Sequence, residues 1–393
     1  MIVRQVPISR LLCAATGLLM LACGTPLPPQ GLVDGGTDAG TEQIPRCERY
    51  QERNDGGCSP VAVTTIESQP LSFTRAGYTL NGTITRPVTT GAYLAPGVVL
   101  IHGSGPNDRD ETLSASLGVS YGQDIPVFRQ LAEALALKGM AVYRYDKRNC
   151  FKENSANRCP NPVSAYVGEL DAIRVADTVL DARAAVNVLA AQPGVDAQEL
   201  IVIGHSEGAN YVPLILRDAP QVRAGVQLAG AAAPIDQIWV AQLRDLANYL
   251  EAQNAQMYAT QIAGLRSEAT RYEGVFLQIR AGIFPDARFE GTSVPQWKDW
   301  FESTDHLAAE FKAVKKPIYV FNGDFDFNVD PRNFRQFQTW SVEANMSEAR
   351  FMLVPNVTHA MVTLNDAKTE VDPNFSPVVI TAITRWHRAL MFP

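Results

Sequence analysis

From Gly97 to Ile101 the chain reads Gly-Val-Val-Leu-Ile with no polar break, the mark of a strand covered on both faces. Similar runs return at Met140 to Tyr145, Leu200 to Gly204, Val222 to Leu228, Lys316 to Phe321 and Arg350 to Val354. Between them the period becomes helical: Val127 to Leu137, Glu169 to Ala191 and Val378 to Leu390 place apolar residues three and four apart. Alternating strands and helices specify an α/β chain with a mostly parallel sheet covered on both faces, since each parallel crossover must return the chain. Leu71 to Arg75 and Tyr78 to Arg86, around Ala76-Gly77, predict an antiparallel hairpin ahead of this pattern. One stretch breaks the alternation. Ile235, Ile238, Trp239, Leu243, Leu246 and Leu250 recur at helical spacing with no convincing strand as far as Phe311, so residues 235–311 are expected to form a helical cap. The sheet domain is then built from 71–234 and 312–393.

The chain begins differently. Arg4 and Arg10 precede the apolar run Leu11 to Ala22, too short to span a bilayer as a helix, so 1–22 reads as an export signal. It ends in Met20-Leu21-Ala22-Cys23, which resembles the lipobox of bacterial lipoproteins and makes Cys23 the lipidation candidate; cleavage without lipid is the alternative. Residues 23–46 are rich in Gly, Pro, Thr and Asp with little to bury, and are expected to be a polar tether. This predicts a protein exported from a bacterial cell and held at a membrane, or otherwise periplasmic or secreted. Cys47, Cys58, Cys150 and Cys159 remain beyond the signal and tether; an oxidising compartment favours disulfides, and short loops favour Cys47 with Cys58, in the segment 47–70, and Cys150 with Cys159. The formal net charge of −7 repels phosphate backbones and argues against a nucleic-acid partner.

Candidate chemistry centres on Gly204-His205-Ser206-Glu207-Gly208, the pattern G-x-S-x-G between a buried strand and a helix. Gly204 and Gly208 permit a tight turn that exposes the Ser206 hydroxyl. Pro213, about two turns into that helix, predicts a kink or an early end. A serine hydroxyl needs a base, and that base needs a carboxylate to fix its tautomer. His359 follows the strand ending at Val354, where a late loop delivers it to the sheet's carboxyl edge; His102 and His205 lie inside motifs, His306 ends the cap and His387 sits in the last helix. For the acid, Asp324, Asp326 and Asp330 all follow the strand ending at Phe321. His102-Gly103-Ser104-Gly105 follows another strand, and Gly103 lets backbone approach a ligand closely.

Three segments together carry a resemblance. His102 to Thr112 (HGSGPNDRDET), Tyr143 to Arg148 (YRYDKR) and Gly204 to Gly208 (GHSEG) resemble a bacterial carboxylesterase subgroup of the α/β-hydrolase family, over about residues 70 to 393. The resemblance implies an α/β-hydrolase fold and a serine carboxylesterase that cleaves short acyl esters or thioesters through an acyl-enzyme, without metal or organic cofactor. It selects Asp326, with Val329 three residues on, as the acid between Ser206 and His359. It also implies that the backbone N–H groups of Ser104 and Glu207 form the oxyanion hole. The chain departs from the subgroup at Asn149-Cys150, where a small residue is usual, and this bears on substrate range. Asp108, Arg109, Asp110, Asp146 and Arg148 are expected to staple neighbouring loops as ion pairs. Two other functions are compatible with the fold: an oligopeptidase-like serine peptidase, and a noncatalytic surface-binding lipoprotein.

Overall fold

The central sheet has eight strands: β1 (Thr65–Pro70), β2 (Gly82–Val88), β3 (Ala95–Ile101), β4 (Ala141–Tyr145), β5 (Val195–His205), β6 (Val222–Leu228), β7 (Ile318–Gly323) and β8 (Ala349–Val354). This is a computed structural model, and it describes residues 51–54, 57–60, 63–89, 93–113, 124–150, 167–368 and 370–391. The signal segment, the tether with Cys23, Cys47 and Cys159 lie outside the described residues. Cys150 is disulfide-bonded.

Strand order is β8-β7-β6-β5-β3-β4-β2-β1. All pairs from β4 to β8 are parallel, while β2 runs antiparallel to both β4 and β1. The chain leaves β3 for β4 on one side and returns as β5 on the other. The loops after β3 and β5 therefore diverge and leave a crevice at the carboxyl edge, the place where open α/β sheets bind ligands.

Every residue of β3 is buried, and its side chains alternate between two cores. Val99 and Ile101 pack with helix α2 (Val175–Ala190), through Ala182, Val186 and Leu189, and with helix α3 (Glu207–Asp218), through Val212 and Ile215. Val98 and Leu100 face α1 (Val127–Ala136), through Phe128, Leu131 and Leu135, and the last helix, through Val379 and Ile383. The continuous apolar runs in the sequence follow from this two-sided burial.

Residues 235–305 contain α4 (Ile235–Asn254), α5 (Ala259–Ala281) and α6 (Val294–Asp305), which share an apolar cluster of their own built on Leu243, Leu250, Tyr272, Phe276 and Trp297. Helices α7 (Arg332–Glu343) and α8 (Pro377–Met391) complete the sheet domain. Among the described residues no helix is long and apolar enough to cross a membrane.

Four local expectations change. The helix expected over Glu169 to Ala191 is two helices, Val167–Ala172 and α2, because the amides that start α2 are taken by side chains: Arg174 N–H donates to Asp177 Oδ2, in the first turn of α2, at 3.1 Å, and Val175 N–H donates to Asp299 Oδ2 of α6 at 2.7 Å. Pro213 does not end its helix; α3 continues to Asp218, and the Ala209 carbonyl, which a proline four residues on cannot serve, accepts the buried Gln227 amide at 2.7 Å. Strand β1 is not apparent in its pattern, since only two of its residues, Ile66 and Glu67, are even half-buried in the edge sequence Thr-Ile-Glu-Ser-Gln-Pro. The helical stretch also holds one minimal strand pair, Arg288–Phe289 with Thr292–Ser293.

Candidate active site

Ser206 stands between β5 and α3 with φ 53° and ψ −118°, a strained backbone conformation for a residue with a side chain. The elbow is held by crowding and by hydrogen bonds. A Cβ on Gly204 would lie 2.2 Å from the Gly208 carbonyl oxygen, and one on Gly208 would lie 2.1 Å from that of Ile101, so the chain turns this sharply only with glycine at both places. Ser206 N–H donates to Leu228 O at 2.8 Å, which ties the elbow to β6.

Asp326 follows β7 and is 2% exposed. Its Oδ1 accepts the amides of Asn328 at 2.9 Å and Val329 at 2.8 Å, leaving Oδ2 to face His359 Nδ1 at 2.9 Å. A carboxylate in this place holds the proton on Nδ1 and presents Nε2 as the base. The competing aspartates have other partners: Asp324 Oδ1 accepts Asn356 N–H at 2.7 Å, and Asp330 Oδ1 accepts Arg332 N–H at 2.8 Å at the start of α7. His359 lies after β8, 7% exposed, and lines with Ser206 one cavity of about 500 Å³.

That cavity is also bordered by Gly103, Ser104 and Glu207, the turn after β3 and the first residue of α3. A Cβ on Gly103 would come within 3.1 Å of Ser206 Cβ, so the two loops touch. The first amides of a helix have no intrahelical acceptor, and Glu207 N–H is one of these. Gly103 N–H, by contrast, is engaged by Glu111 Oε1 at 2.5 Å, and the Gly103 carbonyl accepts Lys147 Nζ at 2.8 Å. Lys147 also pairs with Glu207 at 2.9 Å.

The remaining histidines divide by environment. Burial lowers His102 to about 4, so it is a neutral ring packed between Phe128 and Tyr145. For His205 burial acts downward, yet the Glu111 carboxylate, aided by the His359 carbonyl, raises it above the ordinary imidazole value. His306 is exposed at the end of α6, and His387 is wholly buried near Glu199. Ion pairs do staple the loops: Arg109 with Asp146 at 2.8 Å, Arg144 with Asp110 at 2.8 Å and Arg148 with Asp181 at 2.6 Å. The partners of Lys147 and Glu111 were not apparent in the sequence, although both stand in motifs that signalled the site.

The far wall comes from the helical segment. Trp239, Tyr272 and Trp300 line the cavity with Ile235 and Ile238, whereas Trp297 and Phe301 are buried in that segment's own cluster. Three carboxylates border the cavity and each has a partner: Glu111 as above, Glu207 with Lys147 and the Tyr211 hydroxyl, and Glu290 with Arg271 at 2.6 Å. Among the described residues no group of three or more His, Cys, Asp or Glu is placed to hold a metal ion.

Comparison with known proteins gives three kinds of match. The family model described as serine aminopeptidase, S33, matches residues 121–366. Esterase EstD of Thermotoga maritima is 26% identical over 325 residues, covering 81% of this chain and 68% of that protein. Among solved structures, an acylaminoacyl peptidase of Pyrococcus horikoshii has a TM-score of 0.48 at 13% identity, over 78% of this chain and 40% of that one. An esterase of Pyrococcus furiosus has a TM-score of 0.46 at 15% identity, over 82% of this chain and 93% of that one.

Proposed function

This chain belongs to the serine aminopeptidase S33 family of hydrolases, and from that premise we propose that it hydrolyses carboxylic esters, short acyl esters or thioesters, through an acyl-enzyme on Ser206. The observation that carries the proposal is that His359, hydrogen-bonded to the buried Asp326, lines one cavity with a strained, glycine-flanked Ser206. His359 Nε2 removes the Ser206 proton as the hydroxyl attacks the ester carbonyl; Asp326 stabilises the imidazolium that forms. The oxyanion is received by the Ser104 and Glu207 N–H groups. The imidazolium then protonates the departing alcohol, and water, activated by the same base, releases the acid.

An ester is favoured over a peptide with a free amino terminus for an electrostatic reason. An aminopeptidase must hold an ammonium group, and the three carboxylates bordering this cavity are already engaged by Lys147, Arg271 or His205 and the Gly103 amide. The similarity to esterase EstD supports the same choice. We further propose that the mature protein is exported, begins at Cys23 and is held at a membrane by lipid on that residue, with Cys150 paired to Cys159.

The test is fluorophosphonate labelling of the wild-type protein and Ser206→Ala, with parallel assays on a nitrophenyl acyl ester and an aminoacyl nitroanilide. Labelling at Ser206 with ester turnover far above amide turnover supports the reading. Labelling with the opposite preference makes the protein a peptidase, and no labelling makes it a binder.

A further inference from the structure

Behind the triad lies a second buried pair of acid and histidine that the chemistry above does not use. Glu111 and His205 are each 1% exposed. Glu111 Oε1 accepts Gly103 N–H at 2.5 Å, and its Oε2 lies 3.2 Å from His205 Nδ1. On the other side of the ring, His205 Nε2 is 2.8 Å from the carbonyl oxygen of His359. The chain of contacts runs from the loop that borders the oxyanion site, through the residue before the nucleophile, to the backbone of the base.

We propose that Glu111 and His205 form a positioning unit, a carboxylate–imidazolium bridge that fixes the Gly103 loop and the His359 loop relative to Ser206. The inference rests on the serine-hydrolase reading for its catalytic consequence, but not for its geometry.

The protonation state follows from the partners. A carbonyl oxygen only accepts, so Nε2 carries a proton; Nδ1 approaches Glu111 Oε2 to 3.2 Å at ion-pair distance, outside hydrogen-bond geometry, and a carboxylate so close favours a second proton there. The ring is therefore an imidazolium, in agreement with the upward shift that Glu111 imposes against the effect of burial. The charged groups facing it are Glu111 from the loop after β3, and Asp326 and the His359 ring, 4.9 Å away between centroids, from the loops after β7 and β8. Lys147 approaches from beyond Gly103, where it is bound to the Gly103 carbonyl and Glu207.

A buried ion pair contributes little net stability against an apolar substitute, so its distinctive effect is to specify geometry. Glu111 also adopts φ 44°, a left-handed backbone conformation that costs stability and is held here by what its side chain binds. Glu111 is the nearest carboxylate to the His205 ring, 3.2 Å from Nδ1, with Asp326 acting in the same direction. The bridge spans the two loops that must keep their spacing while the substrate carbonyl carbon becomes tetrahedral.

The pH dependence follows. Loss of the His205 proton at alkaline pH sets a carboxylate against a nitrogen lone pair and loosens both loops. Glu111→Gln avoids this: its carbonyl still accepts Gly103 N–H and its amide donates to Nδ1 of a neutral ring, whose Nε2–H still reaches His359 O.

The experiment combines ¹⁵N NMR of the His205 ring with pH profiles of kcat for wild type, Glu111→Gln and Glu111→Ala. At neutral pH the wild-type ring should show both nitrogens protonated, and Glu111→Gln a neutral ring. Glu111→Gln should keep kcat within about threefold and lose the alkaline limb, whereas Glu111→Ala should lower kcat about a hundredfold with little change in KM. A neutral wild-type ring overturns the bridge, and so do superimposable alkaline limbs in wild type and Glu111→Gln. If Glu111→Ala does not fold, Glu111→Gln still decides. Absence of any ester turnover with an imidazolium present would remove the hydrolase reading and leave the bridge standing.

Discussion

Replacing Asp326 by asparagine changes one atom of the site and almost nothing of its shape. In the native loop Oδ1 is bound by the Asn328 and Val329 amides at 2.9 and 2.8 Å, and Oδ2 by His359 Nδ1 at 2.9 Å. Those two amides need an acceptor, so the asparagine carbonyl takes the Oδ1 place and its NH₂ is turned toward His359 Nδ1. A donor there favours the tautomer with the proton on Nε2, which cannot accept the Ser206 proton. The expected loss is on the order of 10⁴ in kcat, about 5.5 kcal/mol of transition-state stabilisation. Because both backbone bonds survive, stability should fall by no more than about 1 kcal/mol. The controls are Asp324→Asn and Asp330→Asn, whose native partners are the Asn356 and Arg332 amides; each should change stability by about 1 kcal/mol and the rate by a few-fold at most. Steady-state turnover of a nitrophenyl ester, with thermal melts on the same preparations, measures both quantities. Asp326→Asn retaining about a tenth of wild-type kcat, or Asp324→Asn falling as far, would refute the assignment of the acid.

Three further outcomes are expected. Gln227→Leu should cost about 1–3 kcal/mol in denaturant melts, because it leaves the Ala209 carbonyl beside Pro213 buried without a donor; an unchanged midpoint would mean that another group serves it. His102 titrates at about 4 when folded against 6.5 when unfolded, so the unfolded chain binds more protons between those values and stability rises with pH across that window. Acidifying from about pH 7 to about pH 5 should therefore remove on the order of 2 kcal/mol through this group, a slope that His102→Gln should lack in urea titrations. Cys23→Ser should release the enzyme from membranes of a bacterial host with ester turnover unchanged, checked by detergent partitioning and intact mass; a wild-type product that is already soluble, with an unmodified amino terminus elsewhere, removes the lipid proposal.

What the chain made legible depended on whether a signal was local. Strand β3 announces itself because burial on both faces leaves no polar position in Val-Val-Leu-Ile. The acid loop after β7 was legible only as three competing aspartates, and it was the family resemblance that singled out Asp326, whose backbone partners lie two and three residues on. Features that depend on a distant partner were not legible. The break before α2 is satisfied by Asp299, 124 positions further along the chain. Helix α3 tolerates Pro213 through Gln227, which is 18 positions from the carbonyl it serves. Glu111 lies in the segment His102 to Thr112, where nothing local shows that a carboxylate reaches both Gly103 and His205.

The helical segment and the acid loop form one mechanical unit, and this constrains how the pocket can be altered. Gln242 of α4 donates to the Asn328 carbonyl at 2.8 Å, Val329 is packed into the cluster of α4 to α6, and Tyr249 sets its ring against Phe325 and Phe327 on either side of Asp326. Asp245 of the same helix pairs with Arg332 at the start of α7. The residues that orient the base are thus clamped between the sheet edge and α4. Ile235, Ile238 and Trp239 on α4 also line the cavity shared by Ser206 and His359. Changing the pocket through α4 therefore acts on the carboxylate as well as on the space, and its effects will not divide cleanly into binding and rate. Among the described residues, the wall formed by α5 and α6, with Tyr272 and Trp300, meets the acid loop through the packing of Val329 and not through a hydrogen bond. Substitution there reshapes the cavity while leaving the Gln242–Asn328 bond in place, so it reaches Asp326 only through the Val329 packing, and pocket shape can vary there with less effect on the Asp326–His359 pair than through α4.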